Sequence, residues 1–202
     1  MINKKSVFYR FFYPTLFVTI LWVIKVIELT LHISFAYYGL LPRTLSGLMG
    51  ILTSPLIHSS IHHLFSNSIP LLILGGIIFY FYKAIAFQVF FWIYSITGLW
   101  VWIAGRAVYH IGASGLIYGF VAFLFFSGLF RQDKRLLALS LLVTFIYGGL
   151  IWGILPLQQG ISWESHLLGF IAGAIIAFFF RKEGPKIERF KWEDEEDEIV
   201  TE

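Results

Sequence analysis

The sequence contains no cysteine and few acidic residues outside its C-terminal end. The absence of cysteine excludes disulfides, thiolate metal sites and a cysteine nucleophile. Of the 12 aspartates and glutamates, only Glu28, Asp133 and Glu164 precede residue 183. The body of the chain is therefore almost free of carboxylates.

Charged residues of either sign are also scarce, at 13% of the 202 residues, whereas 58% are hydrophobic and the mean hydropathy is +0.78. A soluble domain of this size could not bury so much apolar surface, so the composition predicts an all-α, polytopic membrane protein. The apolar runs are about 17 to 27 residues long, which suits a hydrocarbon core of roughly 30 Å. Six spans are predicted, at about 11–33, 56–82, 87–104, 114–130, 136–155 and 162–180.

Basic residues flank these runs unevenly. One set of flanks holds nine lysines and arginines, while the opposite set holds only Arg43 and Arg106. The positive-inside rule therefore predicts that both termini are cytoplasmic. The expected organisation is a cytoplasmic segment at 1–10, a membrane core at 11–181 and an acidic, disordered cytoplasmic tail at 182–202. No transit peptide is visible, so a bacterial cytoplasmic membrane is the simplest location. The net charge of +3 balances basic flanks against this tail and is no argument for nucleic acid binding.

Ser114 lies between Gly112 and Gly115 at the start of the fourth predicted span. The two glycines leave the backbone beside the serine unshielded, so that another helix or a substrate strand can approach. One interpretation is helix packing, because Gly115 and Gly119 form a GxxxG pair. The other is a nucleophilic serine, and this motif alone does not choose between them.

Polar residues gather at the N-terminal ends of the second, fourth and sixth spans, which are predicted to lie at one depth near the outer face. A serine nucleophile needs a base, and His166 is the candidate. Glu164, two residues earlier, points to another side of the helix, so a Ser-His dyad is favoured over a triad. His63, Asn67 and the Ser114 N–H would supply the donors for a developing oxyanion.

Metal or haem sites are the alternative uses of the histidines. His58, His62 and His63 lie close in sequence but lack an HExxH pattern, so zinc hydrolysis is disfavoured, as is membrane haem, which needs histidines facing across two helices. No cofactor or metal is therefore expected. Lys25 and Glu28 are expected to pair in a structural role. Four histidines are assigned to the rim of the site, namely His32, His58, His62 and His110.

Three motifs together resemble the rhomboid family of intramembrane serine proteases. They are Gly112-Ala-Ser114-Gly115 for the nucleophile, His166-Leu-Leu-Gly169 for the sixth span, and His58, His63 and Asn67 at the second-span spacing. The resemblance covers roughly residues 11–181 and implies a six-span rhomboid-like bundle. The first loop departs from it, because the Trp-Arg pair of many members is missing.

The resemblance also implies roles and a reaction. Tyr118 would pack beneath the catalytic histidine, and His63 and Asn67 would stand on the oxyanion side. The reaction would be hydrolysis of a peptide bond in or next to a transmembrane segment of a membrane-protein substrate, which would enter sideways near the second and fifth spans.

Two hypotheses follow. In the first, the chain is a serine endopeptidase with Ser114 as nucleophile and His166 as general base and acid, supported by Gly112, Gly115, Tyr118, Gly169 and His58. In the second, the same bundle is a non-catalytic scaffold that binds transmembrane helices without cutting them. A small transporter is disfavoured, because the polar groups lie near one face and no inverted repeat is visible.

Overall fold

The computed structural model describes residues 4–132, 134–146, 153–156 and 160–185. Its α-helices are α1 (Lys4–Leu31), α2 (Leu45–Thr53), α3 (Ile61–Phe81), α4 (Ala86–Ala104), α5 (Ser114–Arg131), α6 (Lys134–Ile146) and α7 (Trp163–Phe179). Short 3₁₀ turns at Ala36–Tyr38 and Ser54–Leu56 flank α2. These ranges contain no β-strand, only one isolated antiparallel bridge between Leu40 and His110. The all-α prediction is confirmed.

Four of the described helices are long and apolar enough to cross a membrane, at Arg10–Leu31, Ile61–Phe81, Ala86–Ala104 and Ser114–Arg131. They overlap the first four predicted spans, so the multi-pass membrane character is confirmed. The helix α7 is apolar but shorter, with 17 residues. The predicted fifth span includes residues 147–152, and most of the predicted tail is 186–202; both stretches lie outside the described residues.

The second span begins later than the sequence suggests. The prediction placed its start near Leu56, but that residue belongs to a separate 3₁₀ turn and α3 begins at Ile61. Ser60 forms the N-cap, because its hydroxyl accepts the His63 backbone N–H at 3.0 Å. The cap fixes His63 in the first turn of the helix.

The helix α5 occupies the centre of the bundle. Within its membrane span 67% of the residues are buried, against 28% in the spans of α1 and α4. Apolar side chains from several helices pack around it, and Leu64, Leu74, Ile78 and Ile93 are fully buried there together with Phe123 of α5 itself. Ser114, at the first turn of α5, is therefore carried by the most enclosed helix described.

Glycines bring α5 and α7 into backbone contact. A Cβ atom at Gly169 would overlap the Gly115 carbonyl, and one at Gly173 would overlap the Gly119 carbonyl. The contacts recur four residues apart in the same direction on both helices, so α5 and α7 run parallel. The packing interpretation of the Gly115 and Gly119 pair is thus correct, and it brings the first turns of the two helices together.

Candidate active site

Ser114 and His166 meet between the first turns of α5 and α7. The distance from Ser114 Oγ to His166 Nε2 is 2.7 Å, within the range of a good hydrogen bond. His166 is only 8% exposed. The two residues that the sequence analysis singled out are therefore in direct contact.

The other ring nitrogen of His166 decides the direction of that hydrogen bond. His166 Nδ1 lies 2.8 Å from the backbone carbonyl oxygen of Gly153, which can only accept. Nδ1 therefore carries the hydrogen, and Nε2 presents its lone pair to the Ser114 hydroxyl. This is the tautomer that a general base requires.

Tyr118 supports the imidazole from one face. Its ring stacks on His166 with centroids 4.2 Å apart and an interplanar angle of 14°. Tyr118 follows Ser114 by one helical turn, so α5 carries both the hydroxyl and the ring beneath the imidazole. A Cβ atom at Gly153 would overlap the Tyr118 hydroxyl, so the backbone carbonyl can reach Nδ1 only because residue 153 has no side chain.

Glu164 takes no part in this contact. Its carboxylate binds Arg106, with Oε1 2.5 Å from Nε and Oε2 3.2 Å from Nη2. The orienting place that a carboxylate fills in a serine triad is taken by the Gly153 carbonyl. Sequence reasoning missed Gly153, because a main-chain acceptor has no residue-type signature.

His63 and Asn67 line the same cavity as Ser114. The imidazole of His63 lies against Gly112, where a Cβ atom would come within 2.9 Å of Nε2. His63 Nδ1 is 3.2 Å from Ser59 Oγ, and Asn67 Nδ2 donates to the His63 carbonyl at 2.9 Å. His63 thus has Nδ1 engaged by Ser59, and Asn67 has one amide hydrogen engaged by the His63 carbonyl. The His63 Nε2 and the second amide hydrogen of Asn67 are not used in these two contacts.

Gly112 has a backbone conformation that other residues rarely adopt. Its φ is +107°, and its N–H donates to the Ser54 carbonyl at 2.8 Å. This turn leads the chain directly into α5. The conformation and the closeness of His63 both require glycine at this position.

These groups line one cavity of about 680 Å³. Its walls come from α3, from the connection between α4 and α5, from α5 and from the start of α7. The lining residues include Ser59, His63, Asn67, Arg106, Ser114, Tyr118, Ser162 and His166. The volume lies within the range of ligand-binding pockets in proteins, about 300–1,000 Å³.

Comparison with known proteins identifies the group to which this bundle belongs. The Rhomboid domain matches residues 45–183. The chain belongs to the rhomboid family. It is 35% identical over 175 residues to an uncharacterized protein of Mycobacterium tuberculosis strain H37Rv, covering 80% of this chain and 71% of that protein. It is 31% identical over 176 residues to an uncharacterized protein of Mycobacterium leprae, covering 80% of this chain and 68% of that protein.

Two histidines of this rhomboid protein do not lie where the sequence analysis placed them. His32 and His62 are exposed, as expected for the rim, but His58 and His110 are buried. Burial lowers the pKa of His58 to about 3, so its ring is neutral and Nε2 accepts the Ala113 N–H at 3.4 Å. Burial also lowers the pKa of His110, whose Nδ1 is 2.6 Å from Ser162 Oγ. Both rings support the loop that precedes Ser114.

The predicted pair of Lys25 and Glu28 is present and buried, at 2.9 Å. The Lys25 ammonium also donates to the His58 carbonyl at 2.8 Å, and the Phe35 N–H donates to Glu28 at 2.7 Å. The pair ties α1 of the rhomboid bundle to the turn before α3.

The first loop of this rhomboid chain is held by backbone contacts. Leu40 and His110 exchange both N–H···O bonds, at 3.0 and 2.8 Å. The Arg43 guanidinium donates to the carbonyls of Ile103 and Gly105. These contacts fasten the loop to the connection that leads to Ser114.

Among the described residues, no three histidine or acidic side chains cluster closely enough to hold a metal ion.

Proposed function

We propose that this rhomboid protein is an intramembrane serine endopeptidase that hydrolyses peptide bonds in or next to the transmembrane segments of membrane-protein substrates. The family supports the proposal, since rhomboid proteins are in general intramembrane serine proteases. The observation that carries it is the 2.7 Å contact between Ser114 Oγ and His166 Nε2, with His166 Nδ1 hydrogen-bonded to a backbone carbonyl.

In the first step, Ser114 Oγ attacks the carbonyl carbon of the scissile peptide bond while His166 Nε2 takes the hydroxyl proton. The carbonyl π electrons move to its oxygen, forming a tetrahedral oxyanion. His166 then gives the proton to the leaving amine nitrogen, the C–N bond breaks, and an ester to Ser114 remains. Water, deprotonated by His166, attacks the carbonyl carbon of this ester. The bond to Ser114 Oγ then breaks, His166 returns the proton to Oγ, and the carboxylic acid product leaves.

The oxyanion needs preorganised donors. The Ser59 hydroxyl can donate to His63 Nδ1, which leaves an N–H on Nε2 facing the cavity. Asn67 has a second amide hydrogen beyond the one that binds the His63 carbonyl. The Ser114 backbone N–H, at the positive end of α5, is the third donor.

The membrane arrangement in this proposal has six spans, two of them formed around α6 and α7. The excess of basic residues on one set of flanks supports cytoplasmic termini and a cavity near the outer face, most simply in a bacterial cytoplasmic membrane. A bilayer and transmembrane substrates are then the partners. No cofactor, metal or nucleic acid enters the reaction.

The test uses purified protein, a panel of tagged single-span substrates and a fluorophosphonate probe. We expect cleavage and covalent labelling of Ser114 in the wild type, and loss of both in Ser114→Ala and His166→Ala, which stay folded in detergent. The mass of the products gives the cut site. Retained cleavage in Ser114→Ala would exclude the proposed nucleophile, whereas substrate binding without cleavage or labelling in the wild type would favour the scaffold.

A further inference from the structure

Arg106 and Glu164 join the two elements that deliver the reacting groups. Arg106 begins the connection from α4 to Ser114, and Glu164 lies in the first turn of α7, two residues before His166. The guanidinium meets both carboxylate oxygens, and its Nη2 also donates to the Ile161 carbonyl at 2.9 Å. The Arg106 backbone N–H reaches the same carboxylate at 3.3 Å.

In this ion pair the carboxylate of Glu164 is buried, whereas the side chain of Arg106 is exposed. Glu164 is 5% exposed, whereas the Arg106 side chain is 49% exposed. A buried carboxylate without a partner is costly, so Glu164 depends on the guanidinium. The two-pronged contact restricts rotation as well as distance, which a single point charge would not do.

Below this point α5 and α7 pack backbone to backbone at Gly115, Gly119, Gly169 and Gly173, and the aromatic pairs Phe126–Phe170 and Phe130–Phe178 lie farther along. This packing sets the distance between the two helices. The polar contacts at the first turn act directly on the end of α7 that carries His166. A second polar contact joins the same two elements: His110, in the connection between α4 and α5, is hydrogen-bonded to Ser162, the N-cap of α7.

Resting on the proposed function, we infer that Arg106 and Glu164 are positioning residues that hold His166 Nε2 in line with Ser114 Oγ. Neither residue touches the reacting atoms. A misplacement of about 1 Å in such a pair can lower turnover about a hundredfold. The alignment therefore acts on kcat. Because Arg106 also lines the cavity whereas Glu164 does not, Glu164→Gln is the variant that separates alignment from substrate binding.

The test compares Arg106→Ala, Glu164→Gln, the double variant and Arg106→Lys. We expect the single variants to lower kcat and the rate of fluorophosphonate labelling about tenfold to a hundredfold, with the KM of Glu164→Gln within about twofold of wild type. Because both residues act through one contact, the double variant should be no slower than the slower single variant. Arg106→Lys keeps the charge without the fork and should be intermediate.

The matched control is Arg43→Ala. This arginine donates to the Ile103 and Gly105 carbonyls next to Arg106, and neither of these hydrogen bonds reaches α7. We expect labelling and kcat within about twofold of wild type. Thermal unfolding in detergent separates a folding defect from misalignment, and Arg106→Lys keeps the test open if the alanine variant does not fold.

Wild-type kcat and labelling in folded Arg106→Ala and Glu164→Gln would overturn the inference, as would a rise in KM with kcat unchanged. Failure of the proposed function has a different outcome, because Ser114→Ala would then still cleave or the wild type would remain unlabelled.

Discussion

At the scale of single residues, the site depends on how each polar atom near Ser114 is already engaged. His166 Nδ1 is held by the Gly153 carbonyl, and His63 Nδ1 is within reach of the Ser59 hydroxyl. The protonation expected of Nε2 differs between the two rings. In the proposed mechanism His166 Nε2 presents a lone pair that accepts the serine proton, whereas His63 Nε2 carries the hydrogen that is donated to the oxyanion.

His63→Ala tests that assignment. We expect kcat to fall about a hundredfold to a thousandfold, because one oxyanion donor is lost. The measurement is steady-state cleavage of a single-span substrate by purified protein. His62→Ala is the matched control, since His62 is the exposed neighbour on the same turn of α3. Equal losses in both variants would contradict a donor role for His63.

Residue types explain which of these features the sequence could predict. Ser114, His166, His63 and Asn67 are side chains with distinctive chemistry at distinctive spacings, and the structure brings all four to one cavity. Their roles remain predictions. Gly153 gave no signal, because its contribution is a main-chain oxygen. Arg106 and Glu164 could have been paired from their rarity. Arg106 is one of only two basic residues on the less basic set of flanks, Glu164 is one of only three acidic residues before residue 183, and the two form an ion pair.

At the scale of helices, the parallel contact between α5 and α7 determines whether Ser114 meets His166. Hydropathy located the helices, because long apolar runs with polar ends are visible in the sequence. It did not locate the start of α3, where the Ser60 cap and the preceding 3₁₀ turn decide the boundary. The burial of His58 and His110 was also missed, because it depends on the loops that fold over them.

Gly169→Val tests the contact of the two helices. The added side chain would overlap the Gly115 carbonyl, so α7 must move away from α5. We expect a loss of stability of about 1–3 kcal/mol, as for overpacked cores, and a loss of fluorophosphonate labelling greater than tenfold. Labelling and thermal unfolding are measured on the same detergent preparation.

Ile175→Phe serves as the control for that variant. Ile175 is one of the exposed apolar residues of α7, so added volume there should leave labelling within about twofold. Normal labelling in Gly169→Val would show that the close contact is not needed to align the dyad.

At the scale of the whole molecule, orientation in the bilayer follows from charge alone. Nine basic residues stand on one set of flanks and two on the other, so we predict a cavity that opens toward the outer face. The arrangement would give the site access to water while its substrates remain in the membrane.

The absence of cysteine makes that prediction easy to test. Ser46→Cys places an accessible thiol on α2, near the cavity end, and Lys182→Cys places one beyond the end of α7. In intact cells a membrane-impermeant maleimide should label the first and spare the second until the cells are permeabilised. The cysteine-free parent is the blank, and the reversed labelling pattern would invert the proposed topology.

The contact between His166 and the Gly153 carbonyl affects which groups a mutational scan of this protein can identify as essential for activity. Alanine scanning deletes side chains, so it would report Ser114 and His166 but would not reveal the third group in line with them, the acceptor of the His166 Nδ1 hydrogen, because that acceptor belongs to the polypeptide backbone. Residue 153 would instead register as intolerant of bulk, because any larger side chain collides with Tyr118. A loss of activity caused by steric overlap at residue 153 would therefore hide the contribution of its backbone carbonyl, which accepts the hydrogen bond from His166 Nδ1.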